Sequence, residues 1–526
     1  MSRWLHIGDV LRVNATLYPD KEGVADLYRS LTFKQWNERC NRLANGLLDR
    51  GLKKGDRIAI LAYNCLEWME IYGACAKAGL VAVPIMFRLT PSEYTYIVNN
   101  AECAAFIAEK PFTKDLDEAK EDLDVPAGRY FCFGDKAAPA GYTHLDDVFT
   151  SGSPEEPPVT VSHDDTWIIM YTSGTTGRPK GVVRTHETLI AQYLTNLAAL
   201  EYRRDDRGLL VMPMCHINSV FYSFVFTYVG ATAIIYNSVS FDPEHMIKTL
   251  AEKQVTFTSL VPTHYIMMLS LPEEVKSKYN VDCVKKLMIS SAPARRDTKL
   301  DIMGYFKNSQ LYEAYGSTEA GLVTLLLPHE QFDKLGSIGR EISGTDLIKL
   351  LDEDGNEVGV NQVGELYSRT PMVFNEYWKS PQQTRDAFVG QHFSAGDMAY
   401  RDEQGYYYLV DRKKNMIITG GENVYPSEVE NCIGGHQAVK DVAVIGVPDA
   451  KWGECVTAVV ILHQGMEPSP ALAEEIKEYT KGKIAGFKRP KVLEFIAEAD
   501  MPRTGTGKIL HRVLRERYGH WAQQKG

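Results

Sequence analysis

Short apolar runs and helix-length segments alternate along most of this chain. Arg57-Ile-Ala-Ile-Leu-Ala62 reads as a strand, residues 65–79 as a helix stopped by Gly79, and Leu80-Val-Ala-Val-Pro-Ile85 as the next strand. Strand–helix–strand at this spacing is a βαβ unit, whose strands lie parallel in a sheet covered by helices. The alternation returns as strand 207–212, helix 219–229, strand 231–236, helix 243–253, strand 255–260, helix 262–270 and strand 286–290. Residues 8–50 read as helical, with one helix opening at Thr32. Residues 346–369 change character, and a turn at Asp354-Gly-Asn predicts antiparallel strands. After Asp411-Arg-Lys-Lys-Asn415 a small α+β pattern follows: helix 426–433, strands 441–447 and 454–462, helix 470–482, strand 491–496, helix 509–516. The expected fold is therefore α/β. A large domain (1–411) holds parallel-rich βαβ sheets and a small antiparallel or barrel-like subdomain, followed by a small, mobile α+β domain (412–526).

The apolar strand Trp167-Ile-Ile-Met-Tyr171 feeds Thr172-Ser-Gly-Thr-Thr-Gly-Arg-Pro-Lys180. Glycines let backbone N–H groups approach an anion, and Thr172, Ser173, Thr175 and Thr176 add hydroxyl donors around Gly174. With Arg178 and Lys180, this is chemistry for a polyphosphate. The P-loop pattern needs Gly-Lys followed by Ser or Thr. Here Pro179 precedes Lys180 and Gly181 follows it, and the second near-match, Gly507-Lys508, is followed by Ile509.

Composition narrows the partners. The net charge is −10, without basic blocks, which disfavours nucleic acid. Seventeen Lys and Arg against fourteen Asp and Glu from Arg412 onward leave that stretch at +3 and the remainder at −13. A slightly basic tail beside an acidic body hints that the tail meets an anionic ligand. Nine scattered cysteines without a Cys-x-x-Cys point to reduced thiols, a cytoplasmic setting and no zinc site. Cys215 beside His216 is a poor nucleophile–base pair, because neighbours on a strand point to opposite faces. No apolar leader opens the chain. Ile217 to Phe241 is uncharged but too polar for a membrane span.

Several further motifs follow in order: Tyr315-Gly-Ser-Thr-Glu319, Gly364-Glu-Leu, Ser394-Ala-Gly-Asp397, Asp411-Arg-x-Lys414, Gly420-Gly-Glu-Asn-Val-Tyr-Pro426 and Pro502-Arg-Thr-Gly-Thr-Gly-Lys508. Together with residues 171–181 they resemble the AMP-forming, adenylate-forming superfamily of acyl-CoA synthetases, peptide-synthetase adenylation domains and luciferases, over residues 30–515. The resemblance implies an acid–CoA ligase that uses ATP, Mg²⁺ and coenzyme A. It implies nucleotide binding by Thr172, Ser173, Gly174, Thr175, Thr176, Lys180, Ala292, Pro293, Glu313, Ala314, Tyr315, Asp397 and Arg412. Within that set Tyr315 stacks on adenine, and Asp397 and Arg412 grip the ribose. It assigns the α-phosphate to Thr318, Mg²⁺ to Glu319 and Thr176, and the charge of the reacting carboxylate and phosphate to Lys508. His216 is placed near the carboxylate as a further catalytic group.

By the same resemblance Ile217, Asn218, Ser291, Ala292, Ala314, Gly316, Gly321 and Leu322 border the acyl group. They would accept a small to medium aliphatic, alicyclic or aromatic acid. Gly420, Gly421, Glu422, Trp452, Phe487 and Arg489 would meet coenzyme A, and Lys414 would be the hinge of a rotating small domain. Trp452 could equally be plain core packing. Two other readings stay open: loading of a carrier protein, and a non-catalytic nucleotide sensor. The expected partners are thus a small carboxylic acid, ATP and CoA, without nucleic acid or an integral membrane segment. Monomer and homodimer both remain open.

Overall fold

The computed structural model describes residues 5–135, 137–172, 178–290, 294–449, 451–504 and 507–519. It divides into two compact units, residues 1–348 with 367–395, and residues 349–366 with 396–526.

The first unit is built on two large sheets. In one, Gln310–Ser317, Lys286–Ile289, Phe257–Leu260, Arg207–Leu210, Thr232–Ile235 and Glu22–Ala25 run parallel, edged by antiparallel strands. In the other, Thr166–Thr172, Val81–Ile85, Arg57–Leu61, Cys103–Glu109 and Tyr130–Phe133 run parallel. Lys180–Thr185 and Glu376–Tyr377 extend that sheet antiparallel at one edge. Strands buried on both faces are continuous apolar runs, as in Val81–Ile85, and the helices covering them shield the apolar surface. Trp36, Trp68, Trp167 and Tyr72 are completely buried between these layers.

Local signals explain where elements begin and end. Thr32 caps the helix Phe33–Asp49, its hydroxyl accepting from the Gln35 N–H at 3.2 Å while the Gln35 amide accepts from the Thr32 N–H at 2.9 Å. Gly79 ends Glu67–Ala78 in the left-handed region at φ +65°. The expectation of a helical stretch over 8–50 is corrected. The helix Ile7–Leu17 is followed by the strands Glu22–Ala25 and Ser30–Thr32 before Phe33–Asp49 starts. Asp26 turns that hairpin by accepting from the Tyr28 and Arg29 N–H groups, and Glu22–Ala25 pairs with Thr232–Ile235, some 210 residues downstream. Residues 217–241 form two short helices, Ile217–Ser223 and Val225–Val229, and the strand Thr232–Ile235. No helix among the described residues is long and apolar enough to cross a membrane.

The second unit joins a four-stranded sheet to an α+β layer. The sheet order is Lys349–Leu351, Gly364–Tyr367, Asp397–Arg401, Tyr407–Arg412. In the α+β layer the long hairpin Val439–Asp449 and Gly453–Leu462 pairs along its length, and Val492–Phe495 adds in parallel. The helices Pro426–Ile433, Pro470–Tyr479 and His511–Tyr518 pack there. The antiparallel strands read as a subdomain of the large domain therefore group with the C-terminal residues.

Candidate functional site

In the first unit the two sheets meet where their strand ends carry the predicted polar residues. Thr172 closes one strand and Lys180 opens the next, as cross-strand partners flanking the glycine-rich loop. Ser173, Gly174, Thr175 and Thr176 of that loop lie outside the described residues, as do Ser291, Ala292 and Pro293. From the other sheet, Gln310–Ser317 delivers Glu313, Ala314, Tyr315 and Gly316, and the turn 318–320 delivers Thr318 and Glu319 before Gly321–Leu326 returns. Thr318–Glu319 thus stands in a turn between antiparallel strands.

Glu319 joins the two halves. Its Oε1 accepts from the Thr172 hydroxyl at 3.3 Å and from the Tyr377 hydroxyl at 3.2 Å. Among the described residues no cation pairs with this carboxylate and nothing donates to Oε2. Two neutral donors orient one oxygen, and a carboxylate is the kind of hard oxygen ligand that Mg²⁺ takes. The turn itself is pinned from below. Arg184, completely buried, donates to the carbonyls of Thr318 at 3.1 Å and Glu319 at 3.4 Å, and the Phe374 N–H donates to the Glu319 carbonyl at 2.6 Å. Burial lowers the Arg184 pKa to about 10, against the raising influence of Tyr193 and Glu319. Arg184 and Tyr377 were not singled out in the sequence. The signals available there were an arginine following the apolar Val182-Val183, and an aromatic pair after Asn375-Glu376.

Glu313 is engaged internally. It pairs with Lys299 at 2.5 Å, both nearly or wholly buried. Burial raises the Glu313 carboxyl pKa, opposed by Lys299. Its side chain therefore holds the helix Arg296–Tyr305 to the strand. Gly316 and Gly321 are places where backbone approaches backbone. A Cβ on Gly316 would lie 2.2 Å from the Gly321 carbonyl oxygen. One on Gly321, at φ +76°, would lie 2.5 Å from Met372 Cβ and 2.9 Å from the Gln192 amide oxygen.

His216 caps the helix Ile217–Ser223, its Nδ1 accepting from the Asn218 N–H at 3.3 Å. Ile217, Asn218 and Leu322 are buried. Asn218 donates to the hydroxyls of Ser290 at 2.7 Å and Ser259 at 3.3 Å, which lie 3.0 Å from each other. The Leu322 N–H donates to Gln192 at 3.0 Å.

In the second unit Asp397 and Arg412 face each other across paired strands, with Nε 2.7 Å from the carboxylate. Lys508 is exposed. Its pKa is lowered by desolvation and by Arg412, with Asp397 opposing. Arg412 and Asp397 are thus the two charges that act on Lys508. Gly420 and Gly421 form the turn between Ile417–Thr419 and Glu422–Val424, at φ +62° and +84°. The Gly420 N–H donates to the Trp452 carbonyl at 2.7 Å. Trp452 is 40% exposed, with Lys491 Nζ 3.7 Å and Lys451 Nζ 4.9 Å from its ring, so it is a surface aromatic between cations. Phe487 is also 40% exposed. Arg489 is committed to Glu478 at 2.7 Å, Thr480 at 3.1 Å and the Lys477 carbonyl at 3.1 Å. Lys491 was not singled out in the sequence; it and Lys451 lie over the Trp452 ring, whereas Arg489 is engaged internally. Lys414 lies in the short turn Lys413–Asn415. Cys215 is buried, its thiol pushed up to about 12 by desolvation, which removes it as a nucleophile.

Comparison with known proteins gives the family of the chain. Residues 11–378 match the AMP-binding enzyme family, and residues 428–508 match the AMP-binding enzyme C-terminal domain. The chain is 35% identical to the long-chain-fatty-acid–CoA ligase FadD13 of Mycobacterium tuberculosis, over 98% of both chains. It is 33% identical to a feruloyl-CoA synthase of Amycolatopsis sp, covering 96% of this chain and 97% of that one. Among solved structures, the anthranilate CoA ligase AuaEII in complex with anthranoyl-AMP is similar with a TM-score of 0.88 at 25% identity, over 99% of both chains. This chain belongs to the AMP-binding enzyme family.

Proposed function

We propose that the protein is an AMP-forming acid–CoA ligase. In the first half-reaction a carboxylate oxygen of the acid attacks the α-phosphorus of ATP. The bond from that phosphorus to the β-phosphate bridging oxygen breaks, giving acyl-adenylate and pyrophosphate. In the second, the CoA sulfur attacks the acyl carbon, its proton passes to solvent, and the bond to AMP breaks. The observation that carries this reading is the convergence of Thr172, Thr318 and Glu319 on one turn, in a chain matched by both AMP-binding enzyme regions. The acid is already ionised, so no side-chain base is required. The work left to the protein is positioning and charge stabilisation.

Each residue then has a task. Thr172 and Lys180 flank the polyphosphate loop, and Thr318 offers its hydroxyl to the α-phosphate. Glu319, with Thr176, would hold Mg²⁺, which when bound neutralises phosphate charge. Tyr315 offers a face to adenine, Asp397 and Arg412 hold the ribose, and Lys508 stabilises charge at the α-phosphate. His216, whose Nδ1 caps the helix Ile217–Ser223, lies near the carboxylate in this reading. Ile217, Ala314 and Leu322 border the acyl group, while Asn218 is tied into the Ser259–Ser290 network. An acid of small to medium, largely apolar body fits these residue types. Gly421, Trp452, Lys451 and Lys491 form the surface proposed for CoA, after rotation about Lys414.

The test is product analysis. With ATP, Mg²⁺, CoA and a panel of carboxylic acids, mass spectrometry should find the acyl thioester together with AMP. ADP as the nucleotide product overturns the reading. Thioester formed on a carrier protein but not on CoA would select carrier loading instead.

A further inference from the structure

We infer that Tyr377 is a positioning residue for the Glu319 carboxylate, and that it ties this carboxylate to Lys180 of the phosphate loop. The inference rests on the reading of Glu319 as the Mg²⁺ ligand. Tyr377 is 7% exposed and sits on the two-residue strand Glu376–Tyr377, paired with Val182 of the strand that Lys180 opens. Its hydroxyl donates to Glu319 Oε1 at 3.2 Å, the oxygen that also accepts from Thr172 at 3.3 Å. The face of the same ring lies 4.7 Å from Lys180 Nζ. One side chain therefore touches the carboxylate with its polar tip and the ammonium with its π-face.

The physical reason for such a residue lies in the flexibility of Glu319. Its backbone is fixed by Phe374 and Arg184, but three side-chain torsions remain. Holding a glutamate side chain costs it the rotamer freedom of those torsions. Two donors on Oε1 hold the carboxylate in advance. Partners that orient a metal-binding carboxylate typically govern about tenfold or more in metal affinity. Tyr377 is itself held: its N–H donates to the Thr384 hydroxyl at 2.9 Å, and its ring packs against Phe374 at 4.6 Å between centroids. Tyr377→Phe removes the hydroxyl that meets Glu319 and keeps the ring.

The experiment uses the full chain with Mn²⁺ as probe and α,β-methylene-ATP as a nucleotide whose α–β bridge cannot be cleaved, so that it cannot give up AMP. Electron paramagnetic resonance reads Mn²⁺ affinity without turnover. Tyr377→Phe keeps the ring over Lys180 and should weaken Mn²⁺ binding about tenfold. Half-maximal acid-dependent pyrophosphate–ATP exchange should move to higher Mg²⁺ by the same factor, with the KM for the acid and the circular dichroism unchanged. Thr172→Val should move Mn²⁺ affinity in the same direction. Tyr377→Leu should additionally weaken nucleotide binding, because it removes the face that meets Lys180. Wild-type Mn²⁺ affinity in Tyr377→Phe, while Glu319→Gln loses it, overturns the role of the tyrosine. Wild-type affinity in Glu319→Gln overturns the metal assignment itself, and that arm alone tells the two failures apart.

Discussion

Arg515, in the last helix, donates to the carbonyl oxygen of Lys414 at 2.8 Å and also to that of Asn415. The turn proposed as a hinge is thus gripped through its backbone by the helix that follows the Lys508 loop. Asp411 frames the same turn, accepting from Asn415 at 3.2 Å and from the Ser427 N–H at 2.9 Å. Proline at 414 would fix φ near −65° and restrict Lys413. Lys414→Pro should therefore keep pyrophosphate release from acid and ATP while losing most thioester formation, about a hundredfold. Equal loss in both half-reactions, with the fold intact, would count against a hinge here.

Lys508 must be a cation to stabilise the α-phosphate, so the direction of its pKa shift has a kinetic consequence. Desolvation and Arg412 lower it, and Asp397 opposes. The alkaline limb of the adenylation pH profile should accordingly lie below that of an ordinary lysine. Arg412→Gln should move the limb upward and Asp397→Asn downward, whatever each does to ATP affinity. Limbs that coincide in the three proteins would remove Lys508 as the titrating group.

Glu319→Gln tests the metal site by rate. Charge stabilisation at a phosphoryl centre commonly supplies about a hundredfold or more. Pyrophosphate release should fall by that factor in the variant and recover little at high Mg²⁺. Wild-type release at saturating Mg²⁺ would exclude Glu319 from the role.

Elements with a local cause were legible in the sequence. Thr32, Gly79 and the run 426–433 mark helix boundaries by chemistry within a turn, and the structure places them there. The strands at Glu22–Ala25 and Ser30–Thr32 were hidden, because pairing with Thr232–Ile235 fixes them. In the site, glycine-rich and charged motifs showed which residues carry chemistry, but not their company. The Glu313–Lys299 pair, Arg184 beneath the turn and Tyr377 on Glu319 are contacts between distant segments. No spacing rule announces them.

Gly321 illustrates the difference between bordering a pocket and enabling a turn. Its positive φ and its closeness to Met372 make any side chain costly. Gly321→Ala should lower stability by about 2–4 kcal/mol, from backbone strain and overpacking together. Acid preference should be unchanged in the protein that still folds. Ala314, half-buried on the same strand pair, is the better position for narrowing the acyl site. Chemical denaturation and an acid panel on both variants separate the two roles.

His511 and Glu430 give the second unit a pH-dependent tie. His511 Nε2 lies 2.8 Å from the Glu430 carboxylate, which also accepts from the Val444 N–H at 2.8 Å. Burial works to lower the His511 pKa, but the hydrogen bond and charge of Glu430, with Asp411, outweigh it, while Arg515 opposes them. The net shift is upward from the ordinary value of 6.5. A folded-state pKa above the unfolded one contributes stability that is fully present below pH 6.5. That stability fades as pH rises through the folded value. Glu430→Gln keeps an acceptor for Val444 and removes only the charge. The variant should lose about 1–3 kcal/mol at pH 5.5, the scale of a hydrogen bond to a charged group, and much less at pH 9. Thermal unfolding at both values reads this directly: the midpoints of the two proteins should converge as pH rises. A separation that stays constant would mean that His511 carries no charge in the folded protein.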